Sequence, residues 1–218
     1  MRIETRTSSL AYPIFDDEVL IMTRQYEDTK TRRRQVADAA LQTIMQDGVG
    51  GFTTRAVAER VGISDGTLFR HFGSKKDIML EAMSRLEVEL LGTLLQTGTP
   101  LENLESFFKE RAIFVGEKDA VGALVFSSEL LHLVGDDGKK KLKVWRRKTM
   151  KFLGDQLSIL QEEGRTHPEL DIMEMSMLIQ GTLLTFAMQR TVKNRGTRKE
   201  LDQRINKAWK VLFTVLFV

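Results

Sequence analysis

An all-α fold of about nine helices is what this sequence predicts, and three observations predict it. Long stretches rich in Leu, Met, Ala, Glu and Lys favour helix, while only three prolines and no alternating β-branched runs leave little to suggest a sheet. Apolar residues return every three or four positions, most plainly at Ile78, Ala82, Leu86, Leu90 and Leu94. Glycine, proline, serine and threonine fall where such stripes stop. At 218 residues, 42% of them hydrophobic, the chain is long enough to bury a substantial core as one large or two modest domains.

Residues 1–28 lack helical periodicity and read as a loose arm, and Asp16, Asp17 and Glu18 among short apolar pieces fit no secretory signal peptide. Met22 stands just before Thr23, Arg24 and a basic run, so translation starts either at Met1 or at Met22. Arg2, Arg6 and Arg24 alternatively equip the arm to reach a minor groove. The first helix is predicted over 31–47, with Val36, Ala40 and Ile44 on one stripe and Ala37, Leu41 and Met45 beside it. Arg32, Arg33 and Arg34 at its start oppose the helix dipole, a placement that either nearby phosphates or plain solvation offsets.

Residues 53–76 form the stretch around which the chain is organised. Thr53 or Thr54 caps a short helix carrying Ala56, Val57 and Val61, and Gly62 ends it in the left-handed conformation that only a residue without a Cβ adopts cheaply. Ser64 is a second N-cap, with Asp65 in the first turn, where a carboxylate suits the positive end of the dipole. On this short second helix Leu68 and Phe72 share one face, leaving Thr67, Arg70 and His71 to point elsewhere. Gly73 is predicted to stop it, and Ser74 with Asp77 forms the capping box of a further helix. Two helices joined by a tight glycine turn, the second short and polar on one side, make a helix-turn-helix.

From Arg34 the chain reads RQVADAALQTIMQDGVGGFTTRAVAERVGISDGTLFRHFGSKKDIMLEAM. Over residues 34–83 this resembles the N-terminal domain of the TetR/AcrR family of transcriptional regulators. The most specific parts are the Ala39 and Ala40 helix ending at Gly48, Thr53 and Thr54, the spacing from Ala58 to Gly62, and the run from Phe69 to Lys75. Family members usually carry tyrosine at the position of Phe69, so its phosphate-contacting hydroxyl is missing here. The resemblance implies a three-helix DNA-binding domain over 29–76 and a larger helical ligand-binding and dimerisation domain over 77–218. It also implies Thr54, His71 and Lys75 as phosphate anchors. Arg70 is the first choice for base reading, because its guanidinium fork matches guanine O6 and N7. Thr67 and Asp65 are shorter candidates, Arg55 reads a base or binds phosphate, and Gly66 permits close backbone approach.

A long helix from Ser74 to the break at 98–100 is expected to link the two domains. Helices over 101–116 and 119–134 come next, then a GDDG turn at 135–138 and a helix over 139–163. The last of these carries a basic side from Lys139 to Lys151, suited to an acidic partner or a membrane surface but equally to solvent. The final two helices are expected over 172–194 and 197–217. Leu184 and Met188 on the first of them, with Leu201, Ile205, Trp209 and Leu212 on the second, could pair with a second copy as a four-helix dimer interface, the alternative being an internal core. Within this body Phe107, Phe126, Trp145 and Met177 are adaptable apolar groups for an inducer pocket, and Glu129, His132 and Gln180 are polar groups able to orient a ligand.

Charge supports the same division. Residues 30–76 hold nine cations against four anions, a net of +5 in a chain whose total is +3. The absence of cysteine excludes disulfides, thiolate zinc sites and a cysteine nucleophile, and fits a reducing cytoplasm. His71, His132 and His167 lie far apart, and neither a glycine-rich phosphate loop nor a nucleophile with a partner base is evident, so an enzyme, a metal and a cofactor are not expected. No segment reaches the apolar length of a membrane span. The function expected is a cytoplasmic homodimeric repressor that binds palindromic double-stranded DNA and is released by a small-molecule inducer. The alternative is a DNA-organising or protein-interaction factor on the same fold.

Overall fold

The computed structural model describes residues 17–117, 127–188 and 197–218, with side chains from residue 28 onward. These hold eight helices, namely α1 (Asp17–Gly51), α2 (Thr54–Val61), α3 (Asp65–His71), α4 (Lys75–Gly92), α5 (Pro100–Glu117), α6 (Ser128–Glu162), α7 (Ile172–Met188) and α8 (Arg198–Leu216). The fold is all-α. The first half of the helix expected over 119–134 lies outside the described residues, as do Phe126 and the start of the arm at 1–16, while its second half opens α6. None of the described helices is long and apolar enough to cross a membrane.

One boundary differs from the sequence expectation, and one glycine turn falls where it was expected. The first helix reaches back to Asp17, into the segment read as an arm; at the other end Gly48, at φ 74°, breaks the helical path where the stripe stops. At the GDDG segment Gly135, with φ 56° and ψ −149°, leaves helical geometry, so α6 is two helical stretches that meet at a kink where the turn was expected. A single left-handed glycine redirects the axis at little conformational cost, so the flanking turns stay helical.

The first four helices pack around Val36, Ala40, Ile44, Phe52, Val57, Leu68 and Phe72, all buried. α4 carries this core onward: Ile78, Met79, Ala82 and Met83 are buried where it packs on α1, and the same helix goes on to pack against α6. Ion pairs fix α4 to its neighbours at Arg85 and Asp38 (3.1 Å), Lys76 and Asp137 (2.7 Å), and Lys141 and Glu87 (3.4 Å). The rest of the body stacks α5 against α6, α7 and α8. Its centre is aromatic, with Phe107 and Phe152 rings 5.2 Å apart and Phe108 and Trp209 rings 5.6 Å apart. A capping box of Thr197 and Glu200 opens α8. Its end is tied to the connection after α6, where His167 N donates to Leu216 O and Val218 N to Arg165 O.

Part of the expected dimer surface is already covered within the chain: Ile205, Trp209 and Leu212 are buried, with the Trp209 ring against Phe108 of α5 and against Phe217. A wide apolar stripe says that something covers it without saying what, and here α5 covers it.

Candidate nucleic-acid interface and ligand cavity

The two reader helices are built from local capping. Thr53, in extended conformation, accepts from Ala56 N with its hydroxyl. Gly62 at φ 74° lets its own N–H reach Glu59 O and that of Ile63 reach Ala58 O, closing α2. Ser64 Oγ accepts from Thr67 N, and Ser74 Oγ accepts from Asp77 N while donating to the Asp77 carboxylate. α3 ends at His71, with Phe72 extended at φ −137° and Gly73 next in the chain; a Cβ on Gly73 would lie 3.2 Å from Asp77 Oδ2.

Arginines then lock the pair in place. Arg60 of α2 reaches three acceptors on α1, donating to Thr43 Oγ1 (3.1 Å), Gln46 Oε1 (2.6 Å) and Asp47 Oδ2 (3.0 Å). Arg33 of α1 donates to His71 O at 2.7 Å and to Glu81 Oε2 at 2.6 Å, with its guanidinium 4.4 Å above the Phe72 ring. One of the three cations at 32–34 is therefore committed inside the protein, holding α1, α3 and α4 together.

Of the residues expected to meet DNA, Arg55, Asp65, Gly66 and Arg70 are exposed, and Thr54, Thr67, His71 and Lys75 are half-buried. Arg70 has no ion-pair partner among the described residues. Arg55 pairs with Glu59 one turn on, at 2.9 Å. Thr67 shares a hydrogen bond with Ser64, and the Lys75 ammonium sits 4.9 Å over the Phe52 ring. Burial first, and then Arg70, Arg32 and Arg33, hold the His71 imidazole below its ordinary pKa of 6.5, which favours the neutral ring. Phe69 stands half-exposed (49%) beside Arg70 in sequence, an apolar ring on a polar surface.

A second site lies in the body. A cavity of about 290 Å³ opens between α4, α5, α6 and α7, at the small end of ligand pockets. Phe107, Trp145 and Gln180 line it, as expected; Leu184, expected at a dimer surface, lies on its wall as well. Glu129, His132 and Met177 do not line it and are exposed. The residue that sequence reasoning missed is Arg111. It is 6% exposed, donates from Nε to Thr93 Oγ1 (2.9 Å) and from Nη2 to Leu90 O (2.7 Å), and lies 5.1 Å from the Phe107 ring centre. Burial lowers its pKa to about 10, leaving it a cation at neutral pH. Its position was detectable, since Leu104, Phe107, Phe108, Arg111, Ala112 and Val115 form one stripe on which only Arg111 is charged.

Fold and reader together define a helix-turn-helix protein with an all-helical second part. Residues 36–82 match the model of the tetR family of bacterial regulatory proteins. It is 33% identical over 82 residues to the HTH-type transcriptional repressor KstR of Mycolicibacterium smegmatis, a match covering 36% of this chain and 40% of that protein. The chain thus spans less than half the length of the curated relatives it matches first. The whole fold is similar to the ketosteroid transcriptional regulator KstR2 of Mycobacterium tuberculosis, with a TM-score of 0.67 at 20% identity, covering 86% of this chain and 95% of that one. It is also similar to AibR in complex with isovaleryl coenzyme A and operator DNA, with a TM-score of 0.64 at 18% identity, covering 84% and 97%. The proteins matched are regulators, not enzymes.

Proposed function

We propose that this chain is a homodimeric transcriptional repressor of the cytoplasm that binds a palindromic operator and is released by a small molecule entering the body cavity. The observation that carries the reading is the outward face of α3. Asp65, Gly66, Phe69 and Arg70 are exposed on a seven-residue helix whose other face, Leu68 and Phe72, is buried and whose end is clamped by Arg33. A rigid helix presenting a guanidinium without an ion-pair partner among the described residues is suited to base edges, with cations and amides around it suited to phosphates. The operator complex of AibR and the repressor name of KstR support the same function.

For the dimer, the surface that fits is the one α5 leaves open. Met177, Leu184 and Met188 on α7 and Val211 and Val215 on α8 are exposed, and Gly181 in the same α7 stripe would admit a close helix. Exposed apolar faces of this kind pair isologously across a two-fold axis. Two readers then sit about 34–36 Å apart, one turn of duplex, which makes the operator palindromic. Selection of sites from random duplex DNA by the purified chain tests the reading. An enriched palindrome bound far more tightly than bulk DNA supports it. Binding without enrichment would favour a DNA-organising role, and no binding would overturn both.

A further inference from the structure

We propose that the body cavity selects an amphipathic anion, an apolar body ending in a carboxylate or phosphate head, and that Arg111 receives the head. The inference rests on the reading of this cavity as a ligand site and names the class of ligand. The lining carries two guanidiniums, Arg111 within and Arg146 on the exposed side of α6, and no acidic residue among the described ones. The rest is mostly apolar, Phe107, Leu142 and Leu183 among it.

Arg111 is the unusual member. A buried cation ordinarily sits against a carboxylate, because desolvation of the charge is otherwise uncompensated. Here the described partners of Arg111 are a hydroxyl, a carbonyl and an aromatic face, all neutral. A second donor in the wall is under-used: the Gln180 amide donates to the thioether of Met150, a weak acceptor. An anion brings the negative partner that Arg111 lacks among the described residues, and Arg146 draws it to the opening. A cationic head would meet two like charges.

Calorimetric titration of the full-length chain, without DNA, against octanoate, octyl phosphate, octanol and octyltrimethylammonium tests this. One or both anions are expected to bind at least tenfold tighter than octanol and the ammonium, and the tighter anion identifies the head group. Arg111→Gln should weaken anion binding about ten- to a hundredfold, the range for a hydrogen bond to a charged group. Since that substitution touches the core, Arg146→Gln serves as the second variant, expected to lose several-fold for anions and nothing for octanol. Equal or tighter binding of the ammonium, unchanged anion affinity in both folded arginine variants, or no binding by any probe would overturn the proposal. Because DNA is absent, a chain that binds octanoate but selects no operator would refute the repressor reading and leave this one standing.

Discussion

The guanidinium of Arg33 and the carboxylate of Glu81 meet at 2.6 Å across residues 48 apart in sequence, and the same guanidinium holds the carbonyl of His71. One side chain thereby ties the end of α3 to the helix that leaves the reader. Both partners are about one-third exposed, so the pair is neither screened like a surface bridge nor as costly as a fully buried one. Arg33→Ala is expected to lower stability by about 1–2 kcal/mol, since it also removes a charged hydrogen bond and the stacking on Phe72. It should weaken binding to every DNA sequence alike, because α3 loses its fixed angle. Chemical denaturation with a DNA titration checks both effects; unchanged affinity would mean that the clamp does not set the pose of α3.

Arg70 and Lys75 should separate cleanly. Loss of a guanine contact at Arg70→Ala is expected to cost about 1–3 kcal/mol of discrimination at one base pair per half-site. Lys75→Ala should weaken all sequences similarly and reduce the salt slope of binding by about one. A site-by-site affinity matrix measured at two salt concentrations distinguishes the two, and a flat change for Arg70→Ala would remove it from base reading.

The depressed pKa of His71 makes stability depend on pH. In the unfolded chain the ring takes up a proton near 6.5, whereas the folded ring resists until lower pH. Between those two values the unfolded state binds more protons, so the contribution of His71 is complete above about pH 6.5 and lost as pH falls below it. The melting temperature should therefore drop from pH 7.5 to about 5.5, and His71→Gln should flatten that part of the curve. A variant profile parallel to the parent's would place the pH response elsewhere.

Gly62→Ala tests the turn between the reader helices. With φ at 74° and nothing within 4 Å of an added Cβ, the penalty is one of backbone conformation alone. A loss of about 1 kcal/mol is expected, lowering the melting temperature by roughly 2–4 °C in a chain of this size. Thermal unfolding followed by circular dichroism would show it.

How much of this was legible depended on the range of the signal. Thr53, Gly62, Ser64 and Ser74 act through hydrogen bonds to neighbours three to five positions away, so residue type and spacing sufficed to place them. Trp209 stayed ambiguous between an internal core and a dimer face. Its helix shows one continuous apolar side, and only packing divides that side into a part turned to Phe108 and a part left open at Val211 and Val215. The cavity was visible only as a supply of aromatic residues; which of them converge depends on how α5, α6 and α7 cross. Phe107, Trp145 and Gln180 come together, while His132 and Met177 face outward.

The family match stops at residue 82, in the middle of α4, whereas the helix continues unbroken to Gly92. The end of the matched segment thus falls inside one rod of about 27 Å, at the rise of 1.5 Å per residue. No linker absorbs a mismatch there. An exchange of readers between such proteins must preserve helical phase: each residue inserted or deleted at the joint swings the reader by about 100° relative to the body. Interchangeable parts in this architecture are keyed to each other like a splined shaft, and only grafts that keep the register of α4 should keep both ends in working alignment.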